Sequence, residues 1–168
     1  VSGPTQQQTS HPGVTVKHVT SAEEMHTACL AVFNTADITV LSAAVADYRP
    51  TTVADQKIKK KEGTLNIELT KTQDIAQSLG KLKRNDQIIV GFALETEHEQ
   101  ANAEKKLEAK NFDLIVLNSL NDKGAGFGHD TNKITIIDRK QQQKKFGIKN
   151  KKEVARDIVS VILENLHA

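Results

Sequence analysis

Apolar positions along the chain fall into two rhythms, short near-continuous runs and longer stretches with a helical period. Val14, Val16 and Val19 nearly alternate and predict a short strand after a Pro/Gly/Gln/Ser/Thr loop from Gly3 to Gly13. Ser21-Ala22-Glu23-Glu24 has the spacing of a capping box, Ser21 accepting from the Glu24 amide while the Glu24 side chain reaches back. Met25, Cys29, Val32 and Phe33 then repeat at helical spacing, and Ile38 to Leu41 is a fresh apolar run. Strand, helix and apolar strand in succession make a βαβ unit.

The pattern repeats downstream. Leu65 to Leu69 alternates like a strand with one wet face, and Asp74 to Lys83 reads as a helix with Ile75, Leu79 and Leu82 inward. Ile88 to Phe92 is a continuous apolar strand. Glu99 to Lys110 is a charged helix with only Ala101, Ala103, Leu107 and Ala109 to bury. Leu114 to Leu117 forms another central strand ending on Asn118. After a glycine loop come the alternating strand Ile134 to Ile137, a Gln/Lys turn, a short strand around Phe146 to Ile148, and a helix carrying Val154, Ile158, Val161, Ile162 and Leu166. This order predicts an α/β fold, a three-layer, mainly parallel Rossmann-like sheet with an antiparallel hairpin at one edge, within a single domain over 1–168. Nothing before residue 14 offers the first strand, glycine turn and helix that open such folds, so the domain reads as N-terminally incomplete.

Candidate chemistry gathers at the ends of these strands. Ile38 to Leu41 drives into small residues and finishes on Asp47, Tyr48 and Arg49, followed by Lys57-Ile58-Lys59-Lys60-Lys61 in a polar stretch without helical period. A carboxylate, a ring and a closable cationic flap suit a nucleoside triphosphate, with cations on the phosphates and backbone groups plus the ring on the base. Taken singly, each is better explained as a turn residue or a solvated loop. The next two strand ends add to them. Thr70-Lys71-Thr72-Gln73-Asp74 leads into a helix that Thr72 or Asp74 can cap, and Phe92, Glu95 and Thr96 leave the following strand. Three successive strand ends with ligand-competent groups on one sheet edge favour a site.

Composition narrows the partners. Lys and Arg number 23 against 21 acidic residues, a net charge of +2 over 168 residues, and the basic residues come in local clusters. That argues for anionic small molecules over nucleic acid, which needs many phosphate contacts along one stripe. Cys29 is the one cysteine, so no internal disulfide forms. No apolar stretch approaches the ~20 residues that span a bilayer, and the N-terminus lacks the basic start and apolar core of a signal peptide; the expected location is cytoplasmic, with no membrane partner. Gly124-Ala125-Gly126-Phe127-Gly128 has the wrong spacing for a dinucleotide fingerprint and precedes a strand, so it reads as an Ω-like loop. The six histidines lack metal-ligand spacing, and Cys29 reads as a core residue. Lys106 and Lys110 share a helix face, where spacing alone favours solvated pairing with Glu104 and Glu108 over a ligand contact.

Ala43-Ala44-Val45-Ala46-Asp47-Tyr48-Arg49-Pro50, Lys57-Ile58-Lys59-Lys60, Lys71-Thr72-Gln73-Asp74-Ile75, Val90-Gly91-Phe92-Ala93-Leu94-Glu95-Thr96 and Asp113 to Asn118 occur in order at characteristic spacing. In these the chain closely resembles bacterial phosphopantothenoylcysteine synthetase, the second half of the bifunctional coenzyme A biosynthesis flavoprotein. The resemblance covers nearly the whole chain. It implies a CTP-dependent ligase. The carboxylate of 4′-phosphopantothenate attacks the α-phosphate of CTP with Mg²⁺, giving an acyl-cytidylate and pyrophosphate, and the amine of cysteine displaces CMP. Carried over by position, Ala46, Asp47 and Tyr48 contact the cytosine and ribose or a cation, and Lys57 is the catalytic flap lysine on the phosphates. Thr72, Gln73, Asp74, Ile75, Phe92, Lys106 and Lys110 match nucleotide-contacting positions, which reverses the solvated-face reading of the two lysines. No protein-ligated metal is implied; Mg²⁺ arrives with the nucleotide. FMN belongs here only if a flavoprotein decarboxylase domain is fused upstream. The resemblance also implies a homodimer.

Two departures from the pattern stand out. Gln73 occupies a position usually held by Pro, and the opening strand with its Gly-Pro-Thr … Asn-x-Ser-Ser-Gly-Lys-Met-Gly segment has no counterpart, since Ser2-Gly3-Pro4-Thr5 runs directly into Val14 to Val19. The expectation is a nucleotide half-site, inactive as a ligase by itself. The alternative is a non-catalytic nucleotide-binding or regulatory fragment.

Overall fold

In the computed structural model, which describes residues 1–59, 63–119 and 129–166, thirteen elements follow one another. They are α1 (Ala22–Phe33), β1 (Ile38–Leu41), β2 (Tyr48–Pro50), β3 (Leu69–Lys71), α2 (Ile75–Leu82), β4 (Ile88–Glu95), α3 (Glu99–Ala109), β5 (Leu114–Ser119), β6 (Thr131–Asn132), β7 (Ile134–Asp138), β8 (Gln143–Lys145), β9 (Lys149–Asn150) and α4 (Lys151–Leu166). Two compact units alternate along the sequence, one of Val1–Val32 with Ala43–Ile75, the other of Phe33–Ser42 with Ala76–Ala168. The glycine loop at 124–128 and the flap residues Lys60 and Lys61 lie outside the described residues. No helix among the described residues is long and apolar enough to cross a membrane.

The second unit holds a mixed sheet in the order β1-β4-β5-β7-β8. β1, β4 and β5 run parallel, while β7 is antiparallel to β5 and to β8, so the α/β fold carries its hairpin at one edge as the pattern predicts. Side chains alternate across the sheet. Ile88, Val90, Leu114, Val116, Ile134 and Ile136 pack with Val154, Ile158, Val161 and Ile162 of α4 into one core. Their fully buried neighbours Ile89, Ile115 and Ile137 point to the other face, where α3 lies against β4 and β5 with Ala103 and Leu107 buried. Gly91 makes that packing possible, because a Cβ there would stand 2.0 Å from the Phe112 ring. At the amino-terminal end of the strands Asp113 is a junction. It accepts the Ile89 N–H at 2.7 Å and meets Lys83 at 2.5 Å and Arg139 at 3.1 Å. Asn150 and Glu153 form a reciprocal cap at the start of α4.

Several boundaries differ from the sequence reading. The hairpin strand is Gln143–Lys145 rather than Phe146 to Ile148. The turn sets this register, with Gln141 at φ 60° and the Gln142 N–H on the Asp138 carboxylate at 2.8 Å. Phe146 instead packs against the core beneath Lys149, whose ammonium lies 5.5 Å from the ring centroid. Val32, Leu82, Ala101 and Ala109 face outward rather than inward. Among the described residues the two edges of the sheet contrast. β8 ends it with Lys144 and Lys145, whereas β1 presents Ile38 and Val40 at 37% and 45% exposure.

In the first unit, β2 and β3 form an antiparallel ribbon pairing Tyr48 with Lys71 and Pro50 with Leu69. The Ser21–Glu24 box is formed as read, with the Glu24 N–H on Ser21 Oγ at 3.1 Å and the Ser21 N–H on the Glu24 carboxylate at 3.2 Å. Residues 14–19 do not form a strand; they keep a single parallel bridge between Ser2 and His18. Val14 and Val16 are exposed, so no buried face rewards extension there. The strand read at Leu65 to Leu69 is also shorter: of its apolar residues only Leu69 enters β3, where it pairs with Pro50.

Candidate functional site

In the first unit the structure joins two of the segments singled out by the sequence. The residues after β1 are small apart from the half-buried Val45, and hydrogen bonds from Thr72 hold the segment. The Thr72 hydroxyl donates to the Ala46 carbonyl at 2.6 Å, and its backbone N–H donates to the Asp47 carbonyl at 2.9 Å. Ala46, Asp47 and Tyr48 are thereby seated against the approach to α2. Thr72 uses its hydroxyl proton on this clamp instead of serving only as a helix cap. Asp47, Tyr48, Gln73 and Asp74 are exposed, whereas the Ile75 side chain is buried, so Ile75 has only its backbone to offer a ligand. Ile75 opens α2, whose start carries the positive end of the helix dipole. Lys57 stands exposed in the connection between β2 and β3.

A cavity of about 370 Å³ adjoins Ala46, enclosed by residues 2–5, 19–22 and 43–46 with Met25. Ser2 to Thr5, read from sequence only as loop, reach this cavity because Ser2 bonds to both Lys17 and Val19. The start of α1 on its wall is already satisfied. Glu24 accepts from Thr20 N–H at 2.7 Å and Thr20 Oγ1 at 2.8 Å. These bonds from Thr20, with that from Ser21, hold the Glu24 carboxyl below its ordinary range. Burial pushes the Cys29 thiol up, away from nucleophile behaviour.

In the second unit β4 runs beyond Phe92 to Glu95. Phe92 lies half-buried against the core that α4 covers, while Glu95 alternates onto the α3 side. Glu95 there meets Lys106 at 2.6 Å and the Asn102 side chain at 3.2 Å, an arrangement that displaces the pairing with Glu104 or Glu108 suggested by helical spacing. Asn102 also donates to the Glu97 carbonyl at 2.9 Å, tying down the turn between β4 and α3. Phe92 and Lys106 thus belong to opposite faces of the sheet. Lys110 caps the end of α3, and its carbonyl approaches α2 so closely that a Cβ on Gly80 would stand 2.0 Å away. The Asn118 side-chain oxygen Oδ1, near the end of β5, is buried without a donor among the described residues. No group of three or more His, Cys, Asp or Glu side chains able to hold a metal occurs among the described residues.

Comparison with known proteins agrees with the fold and adds a lineage. The family of DNA/pantothenate metabolism flavoprotein C-terminal domains matches residues 1–166. A cysteine/cysteine sulfinic acid decarboxylase from an unknown prokaryotic organism is 51% identical over 167 residues, covering 99% of this chain and 46% of the relative. The coenzyme A biosynthesis bifunctional protein CoaBC of Bacillus subtilis (strain 168) is 45% identical over 144 residues, covering 86% of this chain and 35% of the relative. The chain therefore spans less than half the length of either. A crystal structure of the C-terminal domain of a coenzyme A biosynthesis bifunctional protein CoaBC superimposes with a TM-score of 0.78 at 36% identity, covering 98% of this chain and 74% of that one.

Proposed function

Because this chain belongs to the family of DNA/pantothenate metabolism flavoprotein C-terminal domains, we propose that it carries the nucleotide-binding part of a coenzyme A biosynthesis ligase. In this reading the ligase joins 4′-phosphopantothenate to cysteine and uses CTP through an acyl-cytidylate. The observation that carries it is the Thr72 clamp, which brings the segment Ala46 to Tyr48 and the entry to α2 together at one place in the fold. Backbone groups at a fixed spacing read the edge of a base. The exposed Tyr48 ring offers it a flat face, and the positive end of the α2 dipole favours an anion at the helix start.

Acyl activation by a nucleotide asks the protein for placement and charge neutralisation more than for a nucleophile of its own. Lys57, exposed in a long connection, supplies positive charge to the phosphates. Mg²⁺ fits the same scheme, since it binds largely through substrate phosphates with one or two carboxylates, and Asp47 is an exposed carboxylate beside the clamp. Bound there, the ion would neutralise phosphate charge. The decarboxylase name of the 51%-identical relative describes a protein more than twice as long as the matched stretch, and the clamp favours nucleotide chemistry for these residues. Calorimetry with CTP and ATP in the presence of Mg²⁺ tests the reading. Preference for CTP is expected, and equal affinity for both nucleotides would overturn base recognition at Ala46 to Tyr48.

A further inference from the structure

Charge is spread unevenly over this chain. Between residues 133 and 152 eight lysine and arginine residues stand against one acidic residue, Asp138, a surplus of seven; the whole chain carries only +2, so the remainder is net negative by five. The fold lays this stretch along one border of the second unit. Lys140 sits in the turn at one end of the edge strand β8, Lys144 and Lys145 lie on β8, and Lys151 and Lys152 follow β9, which pairs with β6 beside the start of β7. Carboxylates of the same unit answer three of the cations, Arg139 meeting Asp113 at 3.1 Å, Lys149 meeting Asp157 at 2.7 Å, and Lys144 meeting Glu164. Lys140, Lys145, Lys151 and Lys152 are exposed and make no ion pair among the described residues. Guarding a sheet edge against another edge takes a lysine or two on the strand itself. It does not ask for more at both ends, and Lys151 and Lys152 stand in the first turn of α4, where the helix dipole disfavours cations. A border kept this positive costs stability until something negative lies on it.

The border also restricts what fits it. From 133 to 152 the one guanidinium, that of Arg139, is taken by Asp113, Asn111 and the Phe112 carbonyl, and the one ring, that of Phe146, packs against the core. Neither a free fork for phosphate nor an open face for a base is offered there. No strand among the described residues pairs with the outer side of β8. Such an edge presents carbonyls as well as N–H groups, which an extended peptide can match and a phosphate backbone cannot.

We infer that the β8 border is a docking site for an extended acidic polypeptide segment, laid beside β8 with its carboxylates on Lys140, Lys145, Lys151 and Lys152. The same lysines repel a second β8 and any basic strand, so charge selects the partner. Nothing in this depends on nucleotide binding. The experiment follows the fluorescence anisotropy of a short labelled peptide of alternating glutamate and threonine, titrated with the intact protein that contains this chain. A lysine–threonine peptide and a short DNA duplex are titrated alongside. Binding of the glutamate peptide is expected, weakening about tenfold as salt rises from about 50 to about 300 mM. Lys140→Gln with Lys145→Gln, and separately Lys151→Gln with Lys152→Gln, should each weaken it about fivefold. Melting curves check folding, and the second pair should melt no lower than wild type, since it removes cations from the start of α4. The same peptide with its backbone nitrogens methylated keeps the charges, loses the ladder and should bind about tenfold more weakly. A duplex bound as tightly as the glutamate peptide would make the border a nucleic-acid surface and overturn the inference. Unchanged binding in both lysine pairs, equal binding of the methylated or the lysine peptide, or no binding of the glutamate peptide at the lower salt would overturn it as well.

Discussion

Thr72 and Ala46 are 26 positions apart, yet a single side-chain hydrogen bond of 2.6 Å joins them, and the adjacent Thr72 N–H repeats the attachment on Asp47. The bond ties the Ala46 to Tyr48 segment to the approach to α2, where Ala43, Ala44 and Ala46 offer only methyl groups and Val45 is the one larger side chain.

Thr72→Val removes the hydroxyl and keeps the shape. The change should cost about 1 kcal/mol or less in stability, since the bond lies at a partly open site. It should weaken CTP binding severalfold, and Thr72→Ser should restore it. Calorimetry beside thermal melting separates the two effects. Wild-type affinity in the Val variant would show that the clamp does not position the nucleotide.

Lys57→Gln should leave folding intact, because surface substitutions usually shift stability by within about 0.5 kcal/mol. Pyrophosphate release from CTP and 4′-phosphopantothenate should fall about a hundredfold, the cost of a lost charge contact in the transition state. The assay belongs in the intact enzyme. Normal release there removes Lys57 from the chemistry.

Acid stability should depend on Glu24. Its carboxyl is held below the ordinary value first by the Thr20 backbone N–H, then by the Thr20 hydroxyl and the Ser21 N–H. A folded value below the unfolded one of about 4.3 means that the capping contribution is complete above about pH 5. It declines as pH falls through the unfolded value and is gone below the depressed folded one. Denaturant titrations between about pH 6 and pH 2 should show a shallower acid decline for Glu24→Gln than for wild type. Identical slopes would mean that α1 keeps its start without the charge.

Gly91→Ala should destabilise by about 1–3 kcal/mol, because a Cβ 2.0 Å from the Phe112 ring forces the ring or β4 to move. Phe112→Leu in the same chain should recover part of the loss, measured by urea unfolding. An Ala variant as stable as wild type would place the ring elsewhere in solution.

The central strands and the helices were legible because burial and periodicity agree there, as at Ile88 to Val90 and along Val154 to Ile162. The capping box at Ser21 was legible for a local reason, since both partners lie within one turn. An equivalent Asn-x-x-Glu signal stands at Asn150. Where alternation was the sole cue, at Val14 to Val19 and Leu65 to Leu69, it overstated the strands, since Val14, Val16, Leu65 and Ile67 are exposed and only Leu69 finds a ladder partner, Pro50 of β2. Within the candidate site, the segments at Ala46 and Thr72 were visible separately. Their joining was not, because no local pattern encodes a hydrogen bond across 26 positions. The partner of Lys106 was hidden similarly. Helical spacing points to Glu104 and Glu108, but the strand tip outcompetes them with a carboxylate already turned toward α3.

β1 carries no lysine or proline, no strand among the described residues pairs with its side turned away from β4, and Ile38 and Val40 stay open to water there. Such a border is a template. Any extended apolar segment that reaches it gains a ladder of hydrogen bonds and hides two aliphatic side chains at once, so the handling of this chain becomes a matter of concentration. Dilute samples should behave as single particles in light scattering and concentrated ones should grow. A Val40→Lys change, copying the chemistry of β8, should suppress that growth without touching the residues assigned to the nucleotide.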